Sequence, residues 1–226
     1  MTLKYRCCLF DFDGTIADTG EGIRKSVAYS LEKMNRPPLP EATLSRFIGP
    51  PLHDSFVEYC HMTDDEAETA IVRYRERYTD IGLYESHLYP GIGKLLQALH
   101  GAGAYVAIAS AKPQFMLERL AAYYDIDAHL DAIVGVGLKR HSADKRDLIL
   151  RALPEGMEPT RACMVGDRRF DIEAARALGL GAIGANYGYA LPGELIDAGA
   201  HAVFDRVEDL ALYLTGEAPG TAMPSI

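Results

Sequence analysis

Two carboxylates one residue apart, Asp11 and Asp13, follow directly on the apolar run Cys7-Cys8-Leu9-Phe10 and precede Gly14-Thr15. An apolar run of this length reads as a buried parallel strand, with Gly14-Thr15 as the turn beyond it. In open α/β sheets, ligands collect just past the carboxyl ends of strands. Two carboxylates held there repel each other unless a cation lies between them. Mg²⁺ prefers oxygen ligands and keeps positions open for phosphate oxygens. The spacing therefore points to a metal-supported phosphate site; the competing reading is a solvated turn.

Further polar groups stand where later apolar runs finish. Ser110 follows Ala104-Tyr105-Val106-Ala107-Ile108-Ala109, and Asp167 follows Ala162-Cys163-Met164-Val165-Gly166. Lys145 opens a predicted helix after the run Ala132-Ile133-Val134-Gly135. Asp171 lies four residues past Asp167, and so beside it once a helix has begun. If these runs form one parallel sheet, three carboxylates, a hydroxyl and an ammonium share an edge. Phosphoryl transfer uses such a set: a nucleophile, a cation, and donors for the equatorial oxygens.

The elements that must position these groups alternate in kind. Strand-like runs at 7–10, 104–109, 132–135, 162–165 and 181–184 alternate with helical patterns, the mark of a parallel sheet covered on both faces. Between the first two runs the pattern is helical only. Ile23, Val27 and Leu31, joined by Met34, recur at helical spacing, and Asn35-Arg36-Pro37-Pro38-Leu39-Pro40 ends that helix. A second helix is predicted from Glu41 to about Ile48 and a third over Leu52 to Cys60. A fourth starts at a Thr63 cap with Glu66 three residues on, carries Ala67, Ala70, Ile71 and Tyr74 on one face, and runs to Tyr78. The expected organisation is an α/β, Rossmann-like parallel-sheet core formed by residues 1–16 and 86–226. An all-helical cap domain spans 17–85, and a Gly- and Pro-rich loose tail spans 216–226.

With 226 residues, the chain suffices for one large domain or for a domain carrying a smaller one. Its formal net charge of −9 argues against nucleic-acid polymers and anionic membranes as partners, since both need a basic footprint. An anionic substrate would then need local positive charge at its site. Cys7, Cys8, Cys60 and Cys163 show no paired spacing, which favours free thiols in a reducing compartment over disulfides or zinc. No apolar stretch reaches the ~20 residues of a membrane span. Asp11 interrupts the apolar run that a signal peptide would need. A cytoplasmic location is expected.

Asp11-Phe12-Asp13-Gly14-Thr15, Ser110, Lys145 and Gly166-Asp167-Arg168-Arg169-Phe170-Asp171 together resemble the haloacid dehalogenase-like hydrolases over nearly the whole chain. The helical stretch after the first motif looks like the helical-bundle cap of one class of that family. Phe47-Ile48-Gly49-Pro50-Pro51-Leu52 and Ile108-Ala109-Ser110-Ala111-Lys112-Pro113 resemble its phosphoglycolate phosphatase branch, and particularly the 5′-nucleotidase-like members. Arg146 stands where the family often has Pro, so that Lys145-Arg146-Asp147-Leu148-Ile149 resembles the nucleotidase-like variant.

The resemblance implies roles. Asp11 attacks phosphorus and forms an aspartyl-phosphate. Asp13 protonates the leaving oxygen and then activates water; an acid/base there favours a phosphate ester over a halide. Lys145 offsets charge on the nucleophile and the transferring group. Ser110, with Ala111, Gly14 and Thr15, makes the phosphate-binding set. The Asp11 and Asp167 side chains and the Asp13 carbonyl hold Mg²⁺, and Asp171 supports the metal or orients Lys145. The substrate expected is a small phosphorylated metabolite, with nucleoside monophosphates as the alternative. Selectivity should come from the cap, where Arg46, Gly49, Pro50 and His53 surround the central turn and Arg24 and Lys25 lie on the first helix. Arg46 suits bidentate pairing with a carboxylate or a second phosphate, and Arg46 and Gly49 are the candidates for specificity. Rival readings are a phosphorylatable signalling receiver, a phosphomutase, and a binding protein that has lost catalysis.

Overall fold

A computed structural model describes residues 3–137 and 144–216. The chain begins with strand β1 (Cys7–Phe10), whose four residues are fully buried. A short strand β2 (Ala17–Asp18) leads into four helices: α1 (Gly20–Lys33), α2 (Glu41–Leu44), α3 (Leu52–Cys60) and α4 (Asp64–Tyr78). The second expected helix is thus only one turn of α-helix, continued by a 3₁₀ turn over Ser45–Phe47. The chain returns through β3 (His87–Leu88), which pairs antiparallel with β2. There follow α5 (Ile92–Gly101), β4 (Tyr105–Pro113), α6 (Gln114–Tyr123), β5 (Ala132–Val136), α7 (Lys145–Ala152), β6 (Ala162–Gly166), α8 (Arg169–Ala177), β7 (Gly181–Ala185), α9 (Glu194–Asp197), β8 (Ala202–Phe204) and α10 (Val207–Thr215).

The main sheet is six-stranded and parallel, in the order β5-β4-β1-β6-β7-β8. β1 is flanked by β4 on one side and β6 on the other, so the strand order reverses beside it, and the crevice for a ligand opens at its carboxyl end. Alternation along the strands divides the core between the two faces. Cys8, Phe10, Val106, Ile108 and Val165 pack on one face with Leu95, Leu117 and Leu210, and that cluster runs on into the inserted helices. Cys7, Leu9, Ala107, Ala109 and Met164 pack on the other face with Leu148, Ile149 and Ile172.

Five of the six main strands lie where the apolar runs place them. β2, β3 and the edge strand β8 have only two or three residues each, too few to show a period. β4 extends to Pro113, past the apolar run, with a break of register between Ala109 and Pro113, the stretch that holds Ser110. Such irregularities re-aim side chains beside sites. α4 begins at the capping box expected of it: Thr63 accepts from the Glu66 amide while the Glu66 carboxylate accepts from the Thr63 amide. The four cysteines are free thiols. Among the described residues no helix is long and apolar enough to cross a membrane. The tail expected over 216–226 lies, apart from Gly216, outside the described residues.

Candidate active site

Asp11 leaves β1 with its amide donating to Val165 O at 2.9 Å, which fixes it at the sheet's upper edge. The chain then turns tightly around Phe12 O, which accepts the amides of Thr15, Ile16 and Ala17. Gly14 completes the turn at φ +82°, and a Cβ there would come within 2.1 Å of Asp167 Oδ2. The turn therefore demands glycine for its conformation and for its closeness to the next carboxylate.

Asp167, at the end of β6, is fully buried. Its Oδ1 accepts from the Thr15 hydroxyl at 3.2 Å, and its Oδ2 accepts from the Tyr189 amide at 2.9 Å. Burial, followed by repulsion from Asp11 and Asp171, pushes its carboxyl well above the usual range. The Lys145 ammonium, at the start of α7, lies 3.0 Å from Asp11 Oδ1 and 2.7 Å from Asp171 Oδ1. Burial alone would lower its pKa, but the two carboxylates outweigh that and raise it. Asp171 Oδ2 accepts from the Arg168 amide at 3.1 Å. Burial pushes Asp171 up to about 6, with Lys145 opposing and Asp11 adding to the rise. With one oxygen on Lys145 and the other on a backbone amide, Asp171 is placed to orient Lys145.

Asp11, Asp167 and Asp171 each offer an oxygen within 4.8 Å of the others. Asp11 Oδ1 is buried and has no aligned hydrogen bond, although the Lys145 ion pair reaches it. Crowded buried carboxylates with an unsatisfied oxygen fit a hard divalent cation with oxygen ligands.

A cavity of about 150 Å³ opens over Asp11 and Asp13, between the core and the inserted helices. Ser110, Ala111, Lys112, Pro113 and Met116 line it from the core, and Phe47, Gly49, Pro51, Leu52, His53, Ile71, Tyr74, Arg75 and Tyr78 from the insertion. The Ser110 oxygen accepts from the Lys112 amide at 3.3 Å, which leaves its O–H to donate.

Three residues singled out in the sequence, Gly14, Thr15 and Arg46, do not line the cavity. The Gly14 and Thr15 amides are spent on Ala17 O and Phe12 O, the Thr15 hydroxyl is spent on Asp167, and neither residue lines the cavity. Arg46 is not at the cavity either: its guanidinium lies over the Tyr59 ring at 4.4 Å and 3.8 Å from Glu58, on the exposed side of the insertion. Gly49 does line it, at φ +101°, pressed against Arg168, whose Nη1 donates to Ile48 O at 2.7 Å.

A family model described as haloacid dehalogenase-like hydrolase matches residues 8–185. The chain belongs to that family. It is 37% identical to a 5′-nucleotidase of Pseudomonas aeruginosa over 85% of this chain and 88% of that protein. It is 28% identical to a plasmid phosphoglycolate phosphatase of Cupriavidus necator over 95% of each. It is also 33% identical to the tyrosine-protein kinase PtkA of Mycobacterium tuberculosis over 80% of this chain, but spans only 62% of that protein. Among solved structures, a predicted phosphatase from Clostridium acetobutylicum superposes with a TM-score of 0.86 at 36% identity, covering 93% of this chain and 97% of that one. With these relatives and this site, the chain is a phosphatase of the haloacid dehalogenase-like hydrolase family.

The pairings of two residues of this hydrolase's site, Lys112 and Tyr189, escape a reading of motifs. Lys112 Nζ donates to Asp13 at 2.8 and 3.2 Å and to the Tyr78 hydroxyl at 2.6 Å, joining the insertion to the core. Tyr189 grips Asp167 through its amide, while its hydroxyl donates to Asp18 and accepts from the Gly20 amide at 2.8 Å, where the insertion begins. Neither pairing has a local signal, because the partners lie tens of residues apart. Lys112 was open to notice as a lysine two residues past Ser110.

Proposed function

We propose that this hydrolase is a Mg²⁺-dependent phosphomonoesterase that works through an aspartyl-phosphate on a small phosphorylated metabolite in the cytoplasm, in the manner of a phosphoglycolate phosphatase. The observation that carries this reading is the convergence of Asp11 and Asp167, from two strand ends, with Lys145, from the start of α7, beside a cavity that Asp13 and Ser110 also line. Asp11, Asp167 and the Asp13 carbonyl would hold the cation, which supplies charge neutralisation for an anionic nucleophile meeting an anionic ester.

The chain's own groups account for the remaining chemistry. Asp11 attacks phosphorus as a carboxylate, forming an acyl phosphate while the ester oxygen leaves. Lys145, held by Asp171, lowers the repulsion between nucleophile and phosphoryl group. Ser110 donates to a phosphoryl oxygen. Asp13 delivers a proton to the leaving oxygen and then takes one from the water that hydrolyses the acyl phosphate. Lys112 and Tyr78 hold the Asp13 carboxylate toward the cavity. Residues 17–85 act as a cap over the core of 1–16 and 86–226, excluding water and selecting the leaving group.

A second reading, hydrolysis of nucleoside 5′-monophosphates, is favoured by the 5′-nucleotidase relative and by the aromatic wall of Phe47 and Tyr74. Phosphate release from 2-phosphoglycolate, nucleoside monophosphates and sugar phosphates, with Mg²⁺ and with EDTA, tests both. Asp11→Asn should abolish turnover while leaving thermal unfolding intact, and EDTA should stop a reaction that Mg²⁺ restores. Full activity in either condition refutes the corresponding assignment.

A further inference from the structure

On α4, Ile71, Tyr74, Arg75 and Tyr78 recur at the spacing of one helical stripe, and all four line the cavity that contains Asp11 and Asp13. Ile71, Tyr74 and Tyr78 are buried and Arg75 is half-buried. Among the described residues, every other arginine of the inserted helices and their connections has a carboxylate within 4 Å. Arg24 pairs with Glu41, Arg36 with Glu66, Arg46 with Glu58, Arg73 with Glu76, and Arg77 with Glu85. Arg75 has no carboxylate partner among the described residues.

A guanidinium on a partly desolvated wall carries a cost that a counter-ion relieves. Its neighbours on the insertion's side do not provide one: Phe47, Pro51, Leu52 and Ile71 are apolar, and His53 faces Asp54 and Asp64 at 3.3 and 3.6 Å. On the core side, among the described residues, the carboxylates of Asp11, Asp13, Asp167 and Asp171 outnumber the ammoniums of Lys112 and Lys145 by two, the charge that a divalent cation would offset. Among the described residues lining the cavity, Arg75 is then a positive charge free to meet something that enters, on a chain whose net charge of −9 otherwise repels anions.

We propose that Arg75 is a specificity-determining residue that recognises a second oxyanion, a carboxylate or a phosphate, on the leaving group of the ester; this rests on the reading of the site as a phosphomonoesterase. The fork of the guanidinium suits bidentate pairing with either group. The substrate class is a compact phosphomonoester with a second negative group close to the ester oxygen.

The test compares 2-phosphoglycolate with ethyl phosphate, which has the same chain length and no carboxylate, together with ethylene glycol bisphosphate and adenosine 5′-monophosphate. In Arg75→Met, kcat/KM for the preferred oxyanion-bearing ester should fall about 10–100-fold, mainly through KM, while ethyl phosphate changes by less than about threefold. Arg75→Lys should give an intermediate loss, since charge persists without the fork. Preference for the carboxylate or for the bisphosphate tells which oxyanion is read. Equal losses on all esters, no loss on any, or a loss confined to adenosine 5′-monophosphate would overturn the proposal. Calorimetry on Asp11→Asn and Asp11→Asn/Arg75→Met, titrated with 2-phosphoglycolate and ethyl phosphate, removes turnover from the comparison. Wild-type protein inert toward every ester would sink the phosphomonoesterase reading alone, while the calorimetric difference still decides for or against Arg75.

Discussion

Lys145 stands between two carboxylates in a site that water scarcely reaches, and the sign of its contribution differs from that of its partners. Removing the ammonium leaves Asp11 and Asp171 without their ion-pair partner, crowded against Asp167. Breaking a buried pair in this direction typically costs about 3–5 kcal/mol. Lys145→Met should therefore lower stability by an amount of that order in urea unfolding without divalent cation, and lower kcat by about 10²–10³. Asp11→Asn removes one of the mutually repelling charges, so the same experiment should show stability equal to or above wild type. A Lys145→Met variant as stable as wild type would mean that the ammonium is solvated. At this scale the meeting of Asp11, Asp167 and Lys145 was legible, because the first two end apolar runs and the third opens the helix after another. The partner of Thr15 was not legible, because only the fold brings its hydroxyl to Asp167.

At the scale of elements, Glu85 binds the inserted helices to their return strand. Arg77, near the end of α4, meets it through two nitrogens at 2.7 and 2.9 Å, and Lys25 of α1 meets it at 3.0 Å. The hydrogen bonds from Arg77 hold the Glu85 carboxyl down at about 2, from an ordinary 4.5, with burial opposing and Lys25 assisting. A depressed folded-state pKa gives stability that is present above the unfolded value and lost as pH falls through the folded one. The contribution of Glu85 is thus whole above about pH 4.5 and drains away toward pH 2. Solvent screening keeps it to roughly 1 kcal/mol. Glu85→Gln should lose that increment at pH 7 and differ little from wild type near pH 2, as read by urea midpoints; an undiminished gap at low pH would assign the effect to packing. Helix α4 itself was readable from its Thr63–Glu66 box and its apolar stripe. The cation within that stripe was not, since Arg75 is one of several arginines in Arg73-Tyr74-Arg75-Glu76-Arg77 and only packing separates the one at the cavity.

Across the whole molecule, a cation that binds only the folded chain must stabilise it by mass action, by about 2.7 kcal/mol at a hundred times its Kd. Saturating Mg²⁺ should raise Tm by a few degrees for a chain of this size, and Asp167→Asn should remove most of that rise. A rise unchanged in Asp167→Asn would place the cation elsewhere. The main strands and most of the helices between them were legible because buried parallel strands are continuous apolar runs and covering helices carry a period, whereas the order of the strands in the sheet came only from the fold. What escaped were contacts made at long range between short or irregular pieces: the two-residue strands β2 and β3, the Tyr189 loop against Gly20, and Arg168 against Ile48. Their partners are chosen by three-dimensional proximity, which no window of sequence contains.

The pairing of Ala17 with Leu88 and of Asp18 with His87 puts departure and return of the inserted helices side by side on one two-rung ladder. A segment whose two ends meet at one doorway leaves and rejoins the chain at a single place, so residues can be added or removed beyond the ladder without re-threading the strands of the main sheet.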